Sequence, residues 1–88
     1  MITVEAIDNM TFKVTVEDLT TTTHTVIVSP AYYEKLTSRR ISVEELVRRS
    51  FEFLLERESN TSILRRFDLP EIGRYFPEYE STIRGRLD

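Results

Sequence analysis

The chain contains no cysteine and no tryptophan, a single histidine, His24, and only two glycines among its 88 residues. Without cysteine no disulfide and no Cys/His zinc site can form, and one histidine does not make a multi-histidine metal site. The glycines, Gly73 and Gly85, do not lie between a strand and a helix, which excludes the Gly-rich loops that bind nucleotide phosphates. We therefore predict a non-enzymatic protein with no catalytic residue, no metal and no cofactor.

Long apolar runs and a signal peptide are also missing. No stretch approaches the length that crosses a membrane, and the start of the chain lacks a basic region followed by an apolar one. We expect a cytoplasmic protein without a membrane partner. We also expect residues 1–88 to form a single domain, because the chain is shorter than most single domains.

Acidic residues exceed basic ones, and the net charge is −3. Residues 37–66 are the exception, since they hold seven Arg against five acids. Non-specific affinity for nucleic acid comes from summed positive charge, so the composition predicts no nucleic-acid partner.

The N-terminal third shows the alternation of β-strands. Apolar residues occupy every second position over 2–7 and 12–17, and Asp8 and Asn9 between them favour a turn. A third strand is predicted to end at Val28, and it is apolar on both faces. Three strands joined in this way predict an antiparallel meander.

Helix signals begin at Ser29-Pro30, a common helix start, which predicts a short helix over 31–36. Ser42 and Glu45 have capping-box spacing, and the apolar stripe that follows predicts the longest helix, from Ser42 to about Glu58. Shorter helical segments follow. The predicted fold is therefore α+β: about three N-terminal strands in an antiparallel meander, then three or four helices packed on the sheet.

Two groups of residues are candidates for an interaction site. Tyr75, Phe76 and Tyr79 lie around Pro77, and such aromatics either close a small core or form an interface. Arg39 and Arg40 form a doublet suited to carboxylate or phosphate recognition, with no acid immediately beside them.

Other chemistry-bearing residues have simpler interpretations. We expect His24 to contact neighbouring threonines in the sheet. The carboxylates of Glu52, Glu56 and Glu58 are spaced among arginines and are typical of a solvated helix face.

Several segments resemble a group of short uncharacterised bacterial proteins. The similarity covers nearly the whole chain, and it implies a bacterial source but no activity. The segments that carry it include Ser50–Glu58, Ser62–Leu64, Phe67–Leu69 and Tyr75–Glu80.

Within the chain, Val26–Pro30 followed by two helices resembles the ribbon-helix-helix module of small bacterial repressors and antitoxins. The resemblance implies a dimer whose paired strands read DNA with alternate side chains. These would be Thr23, Thr25 and Ile27, or His24 and Val26 if the other face is used.

Taken together, the sequence favours a small bacterial protein-interaction module whose partner is another protein or a second copy of itself. A homodimer would cover apolar surface that so short a chain does not enclose. The alternative function is a ribbon-helix-helix-like DNA-binding or antitoxin-type regulator.

The charge pattern generates a first prediction. Duplex DNA should bind weakly or not at all at physiological salt, because Glu44, Glu45 and the later glutamates interrupt the basic segment. Gel mobility with random duplex across a salt series measures this. A salt-sensitive affinity below micromolar would contradict it, and Arg39 and Arg40 would then be the first residues to replace.

Overall fold

The computed structural model describes residues 1–87. Four strands form one mixed sheet in the order β1-β2-β3-β4, and four α-helices follow or interrupt them. The strands are β1 (Ile2–Ala6), β2 (Thr11–Glu17), β3 (Thr21–Ile27) and β4 (Arg66–Asp68). The helices are α1 (Pro30–Thr37), α2 (Val43–Leu55), α3 (Ile72–Tyr75) and α4 (Tyr79–Gly85), with short 3-10 turns at Asn60–Ser62 and Leu69–Glu71. The predicted α+β fold is confirmed.

Strands β1 to β3 form the predicted antiparallel meander. The carboxylate of Asp8 accepts hydrogen bonds from the backbone N–H groups of Met10 (2.9 Å) and Thr11 (2.8 Å), which holds the first turn closed. In the register, Val14 lies between Val4 on β1 and His24 on β3. Every second side chain of β2 therefore points to the same face, and Phe12, Val14 and Val16 are buried there.

Strand β4 is the element that the sequence does not predict. It pairs parallel with β3 in the register Thr25↔Arg66, Val26↔Phe67 and Ile27↔Asp68. Parallel neighbours need a long crossover connection, and the segment that contains α1 and α2 supplies it. Three residues with one apolar side chain carry no strand periodicity, so only the tertiary contact of Phe67 with the core defines this strand.

Helices α1 and α2 begin where the sequence predicts. The hydroxyl of Ser29 accepts the N–H of Tyr32 (3.1 Å), and that of Ser42 accepts the N–H of Glu45 (3.1 Å). Helix α2 ends at Leu55, before the predicted end near Glu58. The chain turns there because the backbone N–H groups of Arg57 and Glu58 both donate to the carbonyl of Leu54 (2.9 Å each).

The buried side chains form one cluster between the sheet and the helices. Phe51 of α2 lies at its centre, with ring centroids 5.4 Å from His24 and 6.0 Å from Phe67. The other face of the sheet carries Lys13, Thr23 and similar polar residues and is exposed. The core comprises Phe12, Val14, Val16, Val26, Val28, Leu36, Leu46, Val47, Phe51, Phe53, Leu54, Ile63, Phe67, Leu69, Ile72, Tyr79, Ile83 and Leu87.

Strand β3 is central in the sheet, as predicted, although only the face that carries His24 and Val26 is buried. Strand β2 occupies one of its edges along the whole length, and β4 occupies the other edge from Thr25 to Ile27. A ribbon-helix-helix dimer pairs this strand with the same strand of a second copy, which would require β2 or β4 to leave. The fold therefore offers no free Thr23–Ile27 ribbon for DNA.

The position of Phe51 generates a stability prediction. Phe51→Ala should lower the free energy of unfolding by about 3 to 5 kcal/mol, because a fully buried ring leaves a cavity. Ser42→Ala should lower it by about 1 kcal/mol through loss of the cap. Urea unfolding measures both, and Leu19→Ala, at a fully exposed side chain, serves as the control that should not change. Parent-like stability of Phe51→Ala would contradict the packing.

Candidate functional site

The structure separates the three aromatics that the sequence groups together. Tyr79 is fully buried, its ring lies 5.3 Å from that of Phe53, and its hydroxyl lies 2.6 Å from that of Ser50. Because the Ser50 hydroxyl donates to the carbonyl of Leu46 (2.8 Å), the Tyr79 hydroxyl donates to Ser50. Burial raises the pKa of Tyr79. Tyr79 is therefore a core residue, and its inclusion among the interaction residues is corrected.

Phe76 and Tyr75 have different environments from Tyr79. Phe76 is half-buried and contacts Phe53 edge to face, with ring centroids 5.9 Å apart. Tyr75 is 66% exposed. In the four-residue helix α3, Ile72 at the start is buried in the core, whereas Tyr75 at the end is largely exposed.

Tyr75 and Phe76 line a groove that is mostly apolar but also contains the carboxylates of Glu58 and Glu71. We call it the acidic groove. It has a volume of about 210 Å³ and lies between the C-terminal end of α2, the 60–64 segment and α3. Leu64, 47% exposed, forms part of the same lining. The full lining is Leu54, Glu58, Ser62, Ile63, Leu64, Phe67, Glu71, Ile72, Tyr75 and Phe76.

Among the described residues, two carboxylates, Glu58 and Glu71, are the only charged groups in this lining. Glu71 is held in place because its carboxylate accepts the backbone N–H of Asp68 (3.0 Å). Partial burial raises the pKa of Glu58, since removal of water penalises the charged form. Glu58 is therefore less solvated than the sequence predicts, since it lies half-buried beside apolar side chains.

Glu56, from the same predicted face, behaves differently from Glu58. Its carboxylate pairs with Arg86 (3.1 Å) and Arg57 (3.2 Å) in the solvent-exposed seam between α2 and α4. Hydrogen bonding to Arg86 lowers the pKa of Glu56. Glu52 is exposed. These two glutamates therefore belong to the solvated surface.

Arg39 and Arg40 lie in the loop between α1 and α2. Ser38 and Arg39 have left-handed backbone (φ 52° and 61°), stabilised by the Thr37 hydroxyl, which accepts the N–H of Arg39 (3.1 Å). The Arg39 guanidinium is exposed and lies 3.4 Å from the carboxylate of Glu34.

The fold does not bring this loop to the acidic groove. The loop precedes α2, whereas the groove lies at the other end of that helix, and 13 residues of helix span roughly 20 Å. The two groups of predicted interaction residues therefore cannot form one small site.

His24 hydrogen-bonds to a neighbouring threonine in the sheet, as expected. Its Nε2 lies 2.9 Å from the hydroxyl of Thr22, and its Nδ1 lies 2.8 Å from the carbonyl of Leu64. Among residues 1–87, no group of three or more His, Asp or Glu side chains is placed to hold a metal ion. None of the helices in that range is long and apolar enough to cross a membrane.

None of the protein-family models, curated proteins and solved structures compared with the chain matches it. Function therefore has to be argued from the groove and the remaining surface.

Glu58 generates a pH-dependent prediction. Its pKa is raised in the folded state, so the protonated form of Glu58 is favoured by folding. The contribution of Glu58 to the free energy of unfolding is therefore fully present below the unfolded-state pKa and is lost as pH rises through the folded-state pKa. Glu58→Gln should therefore be more stable than the parent at neutral pH and equally stable below about pH 4. Urea unfolding midpoints across pH measure this, with exposed Glu52→Gln as the control. A Glu58→Gln variant less stable than the parent at pH 7 would contradict it.

Proposed function

We propose that this chain is a small bacterial protein-interaction module without enzymatic activity. In this proposal the acidic groove receives one segment of a partner protein, in which an apolar side chain stands next to a lysine or arginine. The observation that carries it is an apolar groove flanked by the exposed side chains of Tyr75 and Leu64 and bounded by Glu58 and Glu71. The absence of cysteine is consistent with action in the cytoplasm.

The size of the groove supports a side-chain anchor over a metabolite. Its volume of about 210 Å³ is below the roughly 300 to 1,000 Å³ of typical small-molecule pockets. Large side chains such as tyrosine dominate interface energetics when they lie at the centre of a patch. Tyr75 fits that role, because its side chain is exposed and its hydroxyl has no hydrogen-bond partner within residues 1–87.

The charge of the lining supports a basic flank on the partner. Glu58 and Glu71 have no lysine or arginine beside them in the groove. A partner cation would pair with these carboxylates and restore to Glu58 the stabilisation that it loses by desolvation. Two copies of the chain would bring two acidic rims together, which favours a separate partner over a second copy.

The chemistry of the lining supports a binding role. Ser62 provides the only side-chain hydroxyl apart from that of Tyr75, and it contacts the hydroxyl of Ser59 (3.4 Å). No histidine lies in the lining. A nucleophile paired with an imidazole base is therefore not assembled in this groove.

Two sets of short synthetic peptides test the proposal. One set places Leu or Phe between lysines or arginines, and the other places the same residues between glutamates. Fluorescence anisotropy should detect binding of the basic set only. Tyr75→Ala should weaken it about tenfold or more, as loss of a central aromatic anchor does. Leu19→Ala, which removes an exposed apolar side chain that does not line the groove, should leave it unchanged.

Three results would overturn the proposal: no binding by either set, equal binding of the acidic set, or basic-peptide binding that survives Tyr75→Ala. Light scattering across protein concentrations measures whether the groove binds a second copy of the chain. A dimer that Tyr75→Ala converts to a monomer would assign the groove to self-association and exclude the separate partner.

A further inference from the structure

A second cavity lies beside β3 where β4 does not reach. Strand β4 pairs only with Thr25–Ile27, so the first residues of β3, from Thr21 to His24, have no β4 residue beside them. The 60–65 segment runs alongside and leaves a cavity of about 350 Å³, which we call the polar notch. Its lining comprises Thr20–Thr23, His24, Asn60, Thr61, Ile63 and Arg65. Ile63 also lines the acidic groove, so the two cavities adjoin at this residue.

Backbone groups of β3 face the notch. The N–H of Thr25 donates to the carbonyl of Arg65 (2.7 Å), on the side of the strand away from β2. Residues two apart along a strand direct their N–H and C=O groups to the same side. The backbone groups of Thr21 and Thr23 therefore point towards the notch.

One wall of the notch is a chain of hydrogen bonds between buried side chains. The Asn60 amide donates to the carbonyl of Thr20 (2.7 Å) and to the hydroxyl of Thr22 (3.0 Å). A carbonyl can only accept, so Nδ1 of His24 donates to Leu64 and, in the neutral ring, Nε2 accepts the proton of Thr22.

This hydrogen-bonded network places more polar side chains in the protein interior than packing alone requires. His24 is 1% exposed and Asn60 is 4% exposed, although valines occupy the neighbouring core positions of the sheet. Buried polar groups are destabilising unless they are paired, and a fully paired network holds its members in one arrangement. The wall is therefore rigid.

The notch also carries donors with no partner in the described residues. The Arg65 guanidinium makes no hydrogen bond or ion pair within residues 1–87, unlike Arg57, which pairs with Glu78 (2.9 Å). The hydroxyls of Thr21 and Thr23 also have no hydrogen-bond partner in that range. Among the described residues 1–87, no aspartate or glutamate lies in the lining of the notch.

We infer that the polar notch binds a small oxyanion, the phosphate or carboxylate group of a compact polar ligand, with Arg65 as the charged partner. The planar guanidinium suits two parallel hydrogen bonds to such a group. Threonine hydroxyls and strand N–H groups supply the remaining donors. The volume of about 350 Å³ lies in the lower range of small-molecule sites. The inference is independent of the acidic groove and its partner.

Titrations of the ¹⁵N-labelled full chain with inorganic phosphate and with acetate, at constant ionic strength, test this inference. Saturable shifts of the amide signals of Thr21–Thr23 are expected. Arg65→Gln should weaken the binding about tenfold or more, because it removes charge-assisted hydrogen bonds. Arg65→Gln should fold normally, since its side chain has no partner within residues 1–87.

Arg66→Gln is the matched control. It removes the same charge one residue away, and Arg66 is not among the residues that line the notch. Binding that Arg65→Gln weakens and Arg66→Gln retains supports the site. Response to phosphate alone specifies a phosphate ligand, and response to both anions includes carboxylates. Shifts that do not saturate with either anion, or equal loss in the two variants, would overturn the inference.

Discussion

The parallel pairing of β4 with the end of β3 is the contact on which both cavities depend. Phe67 on β4 pairs with Val26 and lies against Phe51, so burial of one ring holds the strand in position. Because β4 is short, it leaves part of β3 uncovered and sends the preceding segment past the sheet edge. Residues of that segment line both the polar notch and the acidic groove. A longer β4 would have covered the Thr21–Thr23 edge with backbone hydrogen bonds.

A second constraint is that the helices cover only one face of the sheet. Most large apolar side chains fit between these layers, and the C-terminal helices close the core through Tyr79 and Ile83. Around this end, Arg57 lies over the ring of Phe53 (3.6 Å) and pairs with Glu78, which ties α2 to the start of α4. In the short α3, Ile72 is buried in this core, while Tyr75 remains exposed beside it.

The two cavities differ in the balance of forces that shapes them. The acidic groove is bounded by apolar side chains, and its carboxylate at Glu58 is less favourable in the folded state than in water. The polar notch is bounded by a hydrogen-bonded chain in which each buried polar atom has a partner within residues 1–87. In the acidic groove the carboxylate of Glu58 is partly desolvated and has no cation beside it, which favours a positively charged ligand. In the polar notch the buried polar atoms are paired but the Arg65 guanidinium is not, which favours a negatively charged ligand.

Local patterns in the sequence determined the elements whose signals lie within a few residues. The caps at Ser29 and Ser42, the Asp8 turn and the alternation in β2 each depend on contacts inside one element, so their positions could be predicted. Only the tertiary structure decided the existence of β4, the burial of Tyr79 beside an exposed Tyr75, the desolvation of Glu58 and the place of Arg65 at the notch. These features depend on which distant segments of the chain pack together. That packing is set by the burial of apolar surface over the whole chain, so the residues concerned show no periodic pattern in the sequence.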